Sequence, residues 1–280
     1  MFFLIFTSLL WSLSFVLIKK YLAGVDPHFV SFIRLAISAV IFAPFMAYHI
    51  KTRFKWKMFK MGAIQFGLMY IFYISAFQFL DAYQVALLTI VTPFYVLLFN
   101  FVFEFKLRPL SLTLVLLNIF VSAWLVYKEG TGQIWGIILM QLSNLCFAWG
   151  QVYYKHVRDR IEGTDAEVYF WPYLGATILT GISFLFFGDS SKISMTVTQW
   201  GVIAYLGVIA SGLGFLFWNM GTKRTSIGNV AISNNLKIPL AIVLASVLLN
   251  ENVEWIKILI YFTLFGGSMA LLKSDQERFY

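Results

Sequence analysis

Residues 85–104 read VALLTIVTPFYVLLFNFVFE, and residues 230–251 read VAISNNLKIPLAIVLASVLLNE. Both open on Val-Ala, carry a proline near the middle and end on a glutamate. Pro93 precedes Glu104 by eleven residues, and Pro239 precedes Glu251 by twelve. Each stretch is apolar over the roughly 20 residues that a helix needs to cross a bilayer. Two spans of one pattern, half a chain apart, point to a duplicated membrane unit.

The rest of the chain agrees. Of its 280 residues 60% are hydrophobic and only 12% charged, at a mean hydropathy of +0.80. A soluble domain is about half apolar and about a quarter charged. A chain of this length cannot hide so much apolar surface in one water-soluble core, so lipid must solvate much of it. Thirty Phe and nine Trp suit the hydrocarbon layer and its interfaces. Applied along the chain, the spanning length predicts an all-α integral membrane fold with helices near 2–18, 28–48, 59–80, 84–103, 110–127, 134–154, 167–187, 200–220, 227–249 and 255–272. The first apolar stretch has no basic flank and no clean small-residue cleavage site. It reads as a retained helix rather than a signal peptide.

Lys and Arg set the orientation. With the N-terminus inside, inner loops hold fourteen, from Lys51, Arg53, Lys55, Lys57 and Lys60 through Lys106, Arg108, Lys155, Arg158 and Arg160 to Lys223, Arg224, Lys273 and Arg278. Outer loops hold five: Lys19, Lys20, Lys128, Lys192 and Lys257. That bias predicts both termini in the cytoplasm. The net charge of +8 is then explained by loops, and no nucleic-acid partner is expected. Cys146, the one cysteine, lies in an apolar run and reads as a small buried hydrophobe.

Five spans per half force the second half to insert upside down relative to the first, giving repeats at 1–130 and 131–280. Trp11-Ser12 before Lys19 is echoed by Trp149-Gly150 before Lys155. With Arg34 in the second span, the two Pro–Glu pairs and Gly266-Gly267 in the last, the chain resembles the drug/metabolite transporter superfamily, specifically its ten-helix proteins with two EamA-type repeats. The resemblance implies ten helices in a 5+5 inverted repeat, alternating access to a central cavity, and an inner-membrane location. Substrates in that superfamily range over amino acids, other metabolites, nucleotide sugars and drugs.

Charged side chains inside a span are costly, which makes them functional candidates. Lys237 lies about ten residues from either end of its span. Asn234, Lys237, Ala241 and Ala245 share one helical face, and Asn235 adjoins it. Two readings stand: a cation for a substrate carboxylate or phosphate, or a structural lysine held by amides. Arg34 shares a face with Ser31 and Ser38, near enough to a span end to snorkel, and also allows either reading. Gln141, Asn144, Ala148 and Gln151 form a stripe that lines a cavity or bonds neighbouring helices. Trp11, Tyr70, Tyr73, Trp218 and Asn219 would suit a planar or amphipathic solute, or are packing. Gly207, Ser211 and Gly214 read as a close helix contact.

No Asp or Glu falls deep in a span; Asp81, Glu104, Glu129 and Glu251 lie at or near ends. The buried charges are positive, which favours an anionic or zwitterionic cargo over a cation. No Walker A lysine motif is present, nor HExxH, GxSxG or a buried Asp pair, so neither ATP coupling nor an enzyme is expected. The sequence predicts a secondary transporter of a small metabolite, an amino acid or related carboxylate, acting as monomer or homodimer without a cofactor. The alternative is an exchanger of phosphorylated metabolites; a scaffold or receptor is more distant. The substrate-binding candidates are Lys237, Asn234, Asn235, Asn144, Gln141, Arg34, Trp11, Tyr73 and Trp218.

Overall fold

The structure, a computed structural model, describes residues 2–46, 51–103, 133–224 and 237–277, with Thr113, Leu114, Leu116, Leu117, Phe120, Val121, Trp124, Ser233 and Asn235. Among the described residues every regular element is helical. Six helices are long and apolar enough to cross a membrane: α1 (Phe2–Leu22), α2 (Pro27–Phe45), α3 (Thr52–Ala76), α4 (Ala82–Phe103), α6 (Asp165–Phe187) and α7 (Val197–Lys223). Between α4 and α6 lies α5 (Gln133–Arg158), whose 26 residues make a rod of about 39 Å. Gln141, Asn144 and Gln151 along it keep α5 out of the six. The shorter α8 (Lys237–Leu249) and the 23-residue α9 (Trp255–Glu277) follow. Most of the expected span at 110–127 and most of the start of the one at 227–249 lie outside the described residues, as do Glu104 and Asn234.

Local chemistry sets the helix starts. Pro27 occupies the first turn of α2, where its missing N–H costs nothing, and Asp26 caps it by accepting from Phe29 N at 2.7 Å. Thr164 with Glu167 and Thr196 with Gln199 form capping boxes on α6 and α7. Where α3 crosses α6, glycines let the backbones touch. A Cβ on Gly62 would stand 2.0 Å from Pro172 O, and one on Gly175 2.2 Å from Phe59 O. This is small-residue packing of the membrane kind.

Two helices widen midway. Ala63–Leu68 of α3 and Leu206–Leu213 of α7 are π-helical. Such segments loosen the regular backbone ladder, and in α7 the carbonyls take up side-chain donors. Ser38 Oγ donates to Gly207 O at 2.7 Å, Trp11 Nε1 to Ala210 O at 2.8 Å and Tyr173 Oη to Ser211 O at 2.7 Å. The expected close contact at Gly207, Ser211 and Gly214 is therefore real, and a widened helix makes it.

The contacts also give helix directions. Gln65 packs on Gly150 while Ser143 Oγ bonds Met69 O, so α3 runs antiparallel to α5. Phe215 meets Phe147 and Trp218 meets Gln151, so α7 runs parallel to α5. Leu4 lies against Gly221, so α1 opposes α7. Cations gather at one end: Lys51, Arg53, Lys57 and Arg160 share a surface hollow, and Lys223 pairs with Asp159 at 3.3 Å.

Candidate functional site

A cavity of about 70 Å³ lies in the bundle. That is smaller than the roughly 300–1,000 Å³ typical of small-molecule sites, so the helices around it must part to admit a cargo. Seven helices line it: α1 with Trp11 and Phe15, α2 with Arg34, α3 with Tyr70 and Tyr73, α4 with Thr89 and Thr92, α5 with Ser143, Asn144 and Phe147, α7 with Phe215, and α8 with Lys237. Among the described residues, none on the lining is Asp or Glu.

Lys237 opens the described part of α8, two residues before Pro239, and is 5% exposed. Its ammonium lies 4.9 Å from the Trp11 ring centre and 5.7 Å from that of Phe147. A cation over aromatic faces is attracted by their quadrupoles, more so when desolvated. Arg34 is 2% exposed. Its Nε donates to Ser211 Oγ at 2.6 Å, and its guanidinium lies 4.1 Å from the centre of the Tyr70 ring. Tyr70 Oη closes the triangle, 2.9 Å from the same Ser211 Oγ. Arg34 Nη1 is buried with no hydrogen-bond partner among the described residues. The arrangement spends one edge of the guanidinium on the fold and keeps a donor in reserve.

Asn144 explains how α4 is broken beside the cavity. Pro93 cannot donate, and the helix tightens to a 3₁₀ turn at Thr89–Val91. Thr92 N then turns back to Thr89 O, which deprives Leu88 O of its α-helical donor. Asn144 Nδ2 supplies the replacement at 2.9 Å, and Thr92 Oγ1 donates to Asn144 Oδ1 at 3.3 Å. Asn144 thus lines the cavity and also braces the break.

Of the sequence-predicted residues, Lys237, Arg34, Trp11, Tyr73 and Asn144 come together on this lining. Gln141, Trp218 and Asn235 are not on it. Gln141 Oε1 accepts from Tyr95 Oη at 3.0 Å. Trp218 stands behind Trp11, ring centres 5.1 Å apart, and donates to Gln151 Oε1 at 2.9 Å. Both atoms of the Asn235 amide are buried without a described partner. Asn234 lies outside the described residues. Sequence reasoning passed over Ser143, Thr89, Thr92 and Phe147. The position of Thr89 and Thr92 just before an intramembrane proline was the available signal for two of them.

Away from the cations, polar contacts tie helices together one turn beyond Phe15 and Tyr73. Lys19 Nζ donates to Leu80 O at 2.7 Å and Phe77 O at 3.3 Å, and lies 3.7 Å from Asp81. Glu251, just past α8, accepts from Ala82 N at 2.8 Å and Tyr83 N at 2.9 Å, capping α4 from 168 residues away. Burial pushes the Glu251 carboxyl above its usual range, opposed by those two N–H donors and by Lys19, and assisted by Asp81. Tyr83 and Glu254 also belong to this cluster. The sign follows: the joined state binds the Glu251 proton more tightly than a solvated carboxylate does. Joining is favoured fully below the ordinary value of about 4.3, and that advantage disappears as pH rises through the raised one. If transport requires this end to part, acidification slows wild-type transport. Glu251→Gln, which keeps an acceptor and loses the titration, removes that acid limb. A pH profile of proteoliposome transport for both proteins checks this; an unchanged limb in the variant contradicts it.

The sequence profile of the EamA-like transporter family matches this chain twice, over residues 1–128 and 134–273. A biotin transporter of Salmonella typhimurium is 32% identical over 258 residues, covering 90% of this chain and 86% of that protein. The biotin transporter of Escherichia coli K12 is 31% identical over 277 residues, covering 97% and 90%. A probable biotin transporter of Pseudomonas aeruginosa is 31% identical over 257 residues, covering 90% of each. One solved crystal structure superposes with a TM-score of 0.67 at 18% identity, covering 96% of this chain and 95% of that one. At that identity the likeness concerns the fold alone.

Proposed function

The chain belongs to the EamA-like transporter family and is a multi-pass inner-membrane protein, and from that premise we propose that its cavity binds and translocates biotin or a closely similar amphipathic carboxylate by alternating access. The observation that carries this is the pairing of two buried cations, Arg34 and Lys237, with aromatic walls and no acidic side chain among the described residues of the lining. Biotin offers one carboxylate, an apolar chain and sulfur ring, and a neutral ureido group. The carboxylate suits the cations, the chain and ring suit Trp11, Tyr73, Phe147 and Phe215, and the ureido group suits Ser143, Thr89 and Thr92. The relatives favour biotin within the expectation of an amino acid or related carboxylate, a cargo that keeps the negative charge and drops the ammonium. A free ammonium would meet only like charge at the cations.

The same reading takes the architecture as ten helices in two inverted units, 1–130 and 131–280, with both termini inside. Three observations support it. The family profile matches twice. The helices that would correspond run in opposite directions, α1 against α5 and α3 against α7. Both α3 and α7 carry a π-helical segment roughly ten residues from their start. The end that gathers Lys51, Arg53, Lys57 and Arg160 is then cytoplasmic.

The test is counterflow of labelled biotin in proteoliposomes with competitors. Unlabelled biotin is expected to compete, and biotin methyl ester at least tenfold more weakly, since a contact to a charged group is worth about 1.5–3 kcal/mol. Amino acids and sugar phosphates are expected to leave the flux unchanged. Competition by either class with biotin inert would replace the cargo.

A further inference from the structure

Below the cavity lies a second polar layer, and several of its amide atoms are unpaired among the described residues. Gln65, Gln151 and Asn219 are each at most 1% exposed. Both amide atoms of Gln65 and Gln151 Nε2 are buried without a hydrogen-bond partner there. Gln151 Oε1 is engaged by Trp218 Nε1. Asn219 lies against the Tyr169 hydroxyl, close enough to hydrogen-bond it, while that hydroxyl donates to Phe215 O at 2.7 Å. A buried amide left unpaired is destabilising, and native proteins keep few of them.

Their placement is regular. Each lies four residues from a cavity-lining residue: Gln65 from Met69, Gln151 from Phe147, Asn219 from Phe215. Because α3 opposes α5 and α7, all three steps lead the same way, one helical turn toward the end where Lys51, Arg53, Lys57 and Arg160 gather. Contacts tie the layer together: the Gln65 side chain packs on Gly150, next to Gln151, and Trp218, the residue before Asn219, donates to Gln151. Between layer and cavity sits an aromatic plug. Phe215 is 4.6 Å from Phe66, 5.0 Å from Trp11 and 5.8 Å from Phe147, ring centre to ring centre.

We propose that Gln65, Gln151 and Asn219 form a second, transient cargo site on the basic side of the aromatic plug, taking the neutral hydrogen-bonding group of the cargo, or its water, once the plug parts. Amides supply donors and acceptors without charge, which matches a ureido or carboxamide group and does not compete with the cations above for a carboxylate. The inference rests on the transport reading, and its test separates the two.

Gln65→Met and Asn219→Leu, near-isosteric and apolar, are expected to keep or raise the melting temperature by about 2–4 °C. They are expected to bind biotin within about threefold of wild type and to slow counterflow at least tenfold, the split that distinguishes a transit site from a binding one. In a Cys146→Ser background, which removes the one native cysteine, Gln65→Cys and Asn219→Cys are each labelled by a charged, membrane-impermeant thiol reagent from the basic side. Absence of labelling at both positions in folded protein overturns the proposal whatever the cargo is. So does a lowered melting temperature in both apolar variants, which marks paired structural amides, or counterflow at the wild-type rate. Labelling in a protein that does not bind biotin leaves the transit site standing and removes biotin as its cargo.

Discussion

Lys237→Met weakens biotin binding by roughly ten- to 150-fold and slows transport in reconstituted protein that stays folded. Methionine keeps the unbranched stem packed against Trp11 and Phe147 and removes only the charge. A desolvated ammonium is expensive to keep, so its removal does not weaken the fold unless the fold uses it as a partner. The loss of a contact to a carboxylate costs about 1.5–3 kcal/mol, roughly ten- to 150-fold in affinity. Measured against biotin methyl ester the effect is sharper still. Wild type separates acid from ester, and Lys237→Met narrows that separation toward unity because the charge that read the carboxylate is gone. Isothermal titration with both ligands decides it. A melting temperature that falls by many degrees with affinity intact would make Lys237 a structural lysine.

Much of this was legible beforehand, for a physical reason. Apolar runs of spanning length are read directly from composition, so the six long apolar helices and α5 lie within a few residues of where the sequence puts them, except that α3 runs from Thr52 to Ala76 rather than over 59–80, its basic first turns being helical. Lys237 was conspicuous because a cation ten residues from either water layer has no cheap explanation. Other features were hidden because they are not local. The π-helical segments of α3 and α7 have no residue signature; that of α7 is met by Trp11, Ser38 and Tyr173, from three other helices, which donate to its carbonyls. The stripe Gln141, Asn144, Gln151 was visible as a stripe, but three neighbours divide it. Tyr95 takes the first, Leu88 O the second and Trp218 the third. Glu251 was read as a repeat marker, since nothing in its neighbourhood announces that it caps a helix starting at Ala82. Gln65 was unremarkable in sequence and became conspicuous only when both its amide atoms proved unpaired.

Arg34 is the harder of the two cations, because the same side chain serves fold and site, and its substitutions separate them. Nε and the ring face are committed to Ser211 and Tyr70, whereas Nη1 is buried without a described partner in a residue that lines the cavity. Arg34→Ala removes both functions. It leaves Ser211 and Tyr70 short of a partner, lowers the melting temperature by several degrees, and reduces biotin affinity by roughly 100-fold, the loss expected for about 3 kcal/mol. Ser211→Ala removes only the brace. The guanidinium keeps its charge and its seat on Tyr70, so affinity falls by a few-fold and the preference for acid over ester persists. Arg34→Lys retains charge but has no planar fork to hold Ser211 and present a second donor at once, so it behaves closer to Arg34→Ala than to wild type. Combining Arg34→Ala with Ser211→Ala costs less than the sum, by about 0.5–3 kcal/mol, because the brace has nothing left to position. Strict additivity, or an Arg34→Ala protein that melts low yet still prefers biotin to its ester as wild type does, would confine Arg34 to the fold and leave Lys237 as the carboxylate's cation.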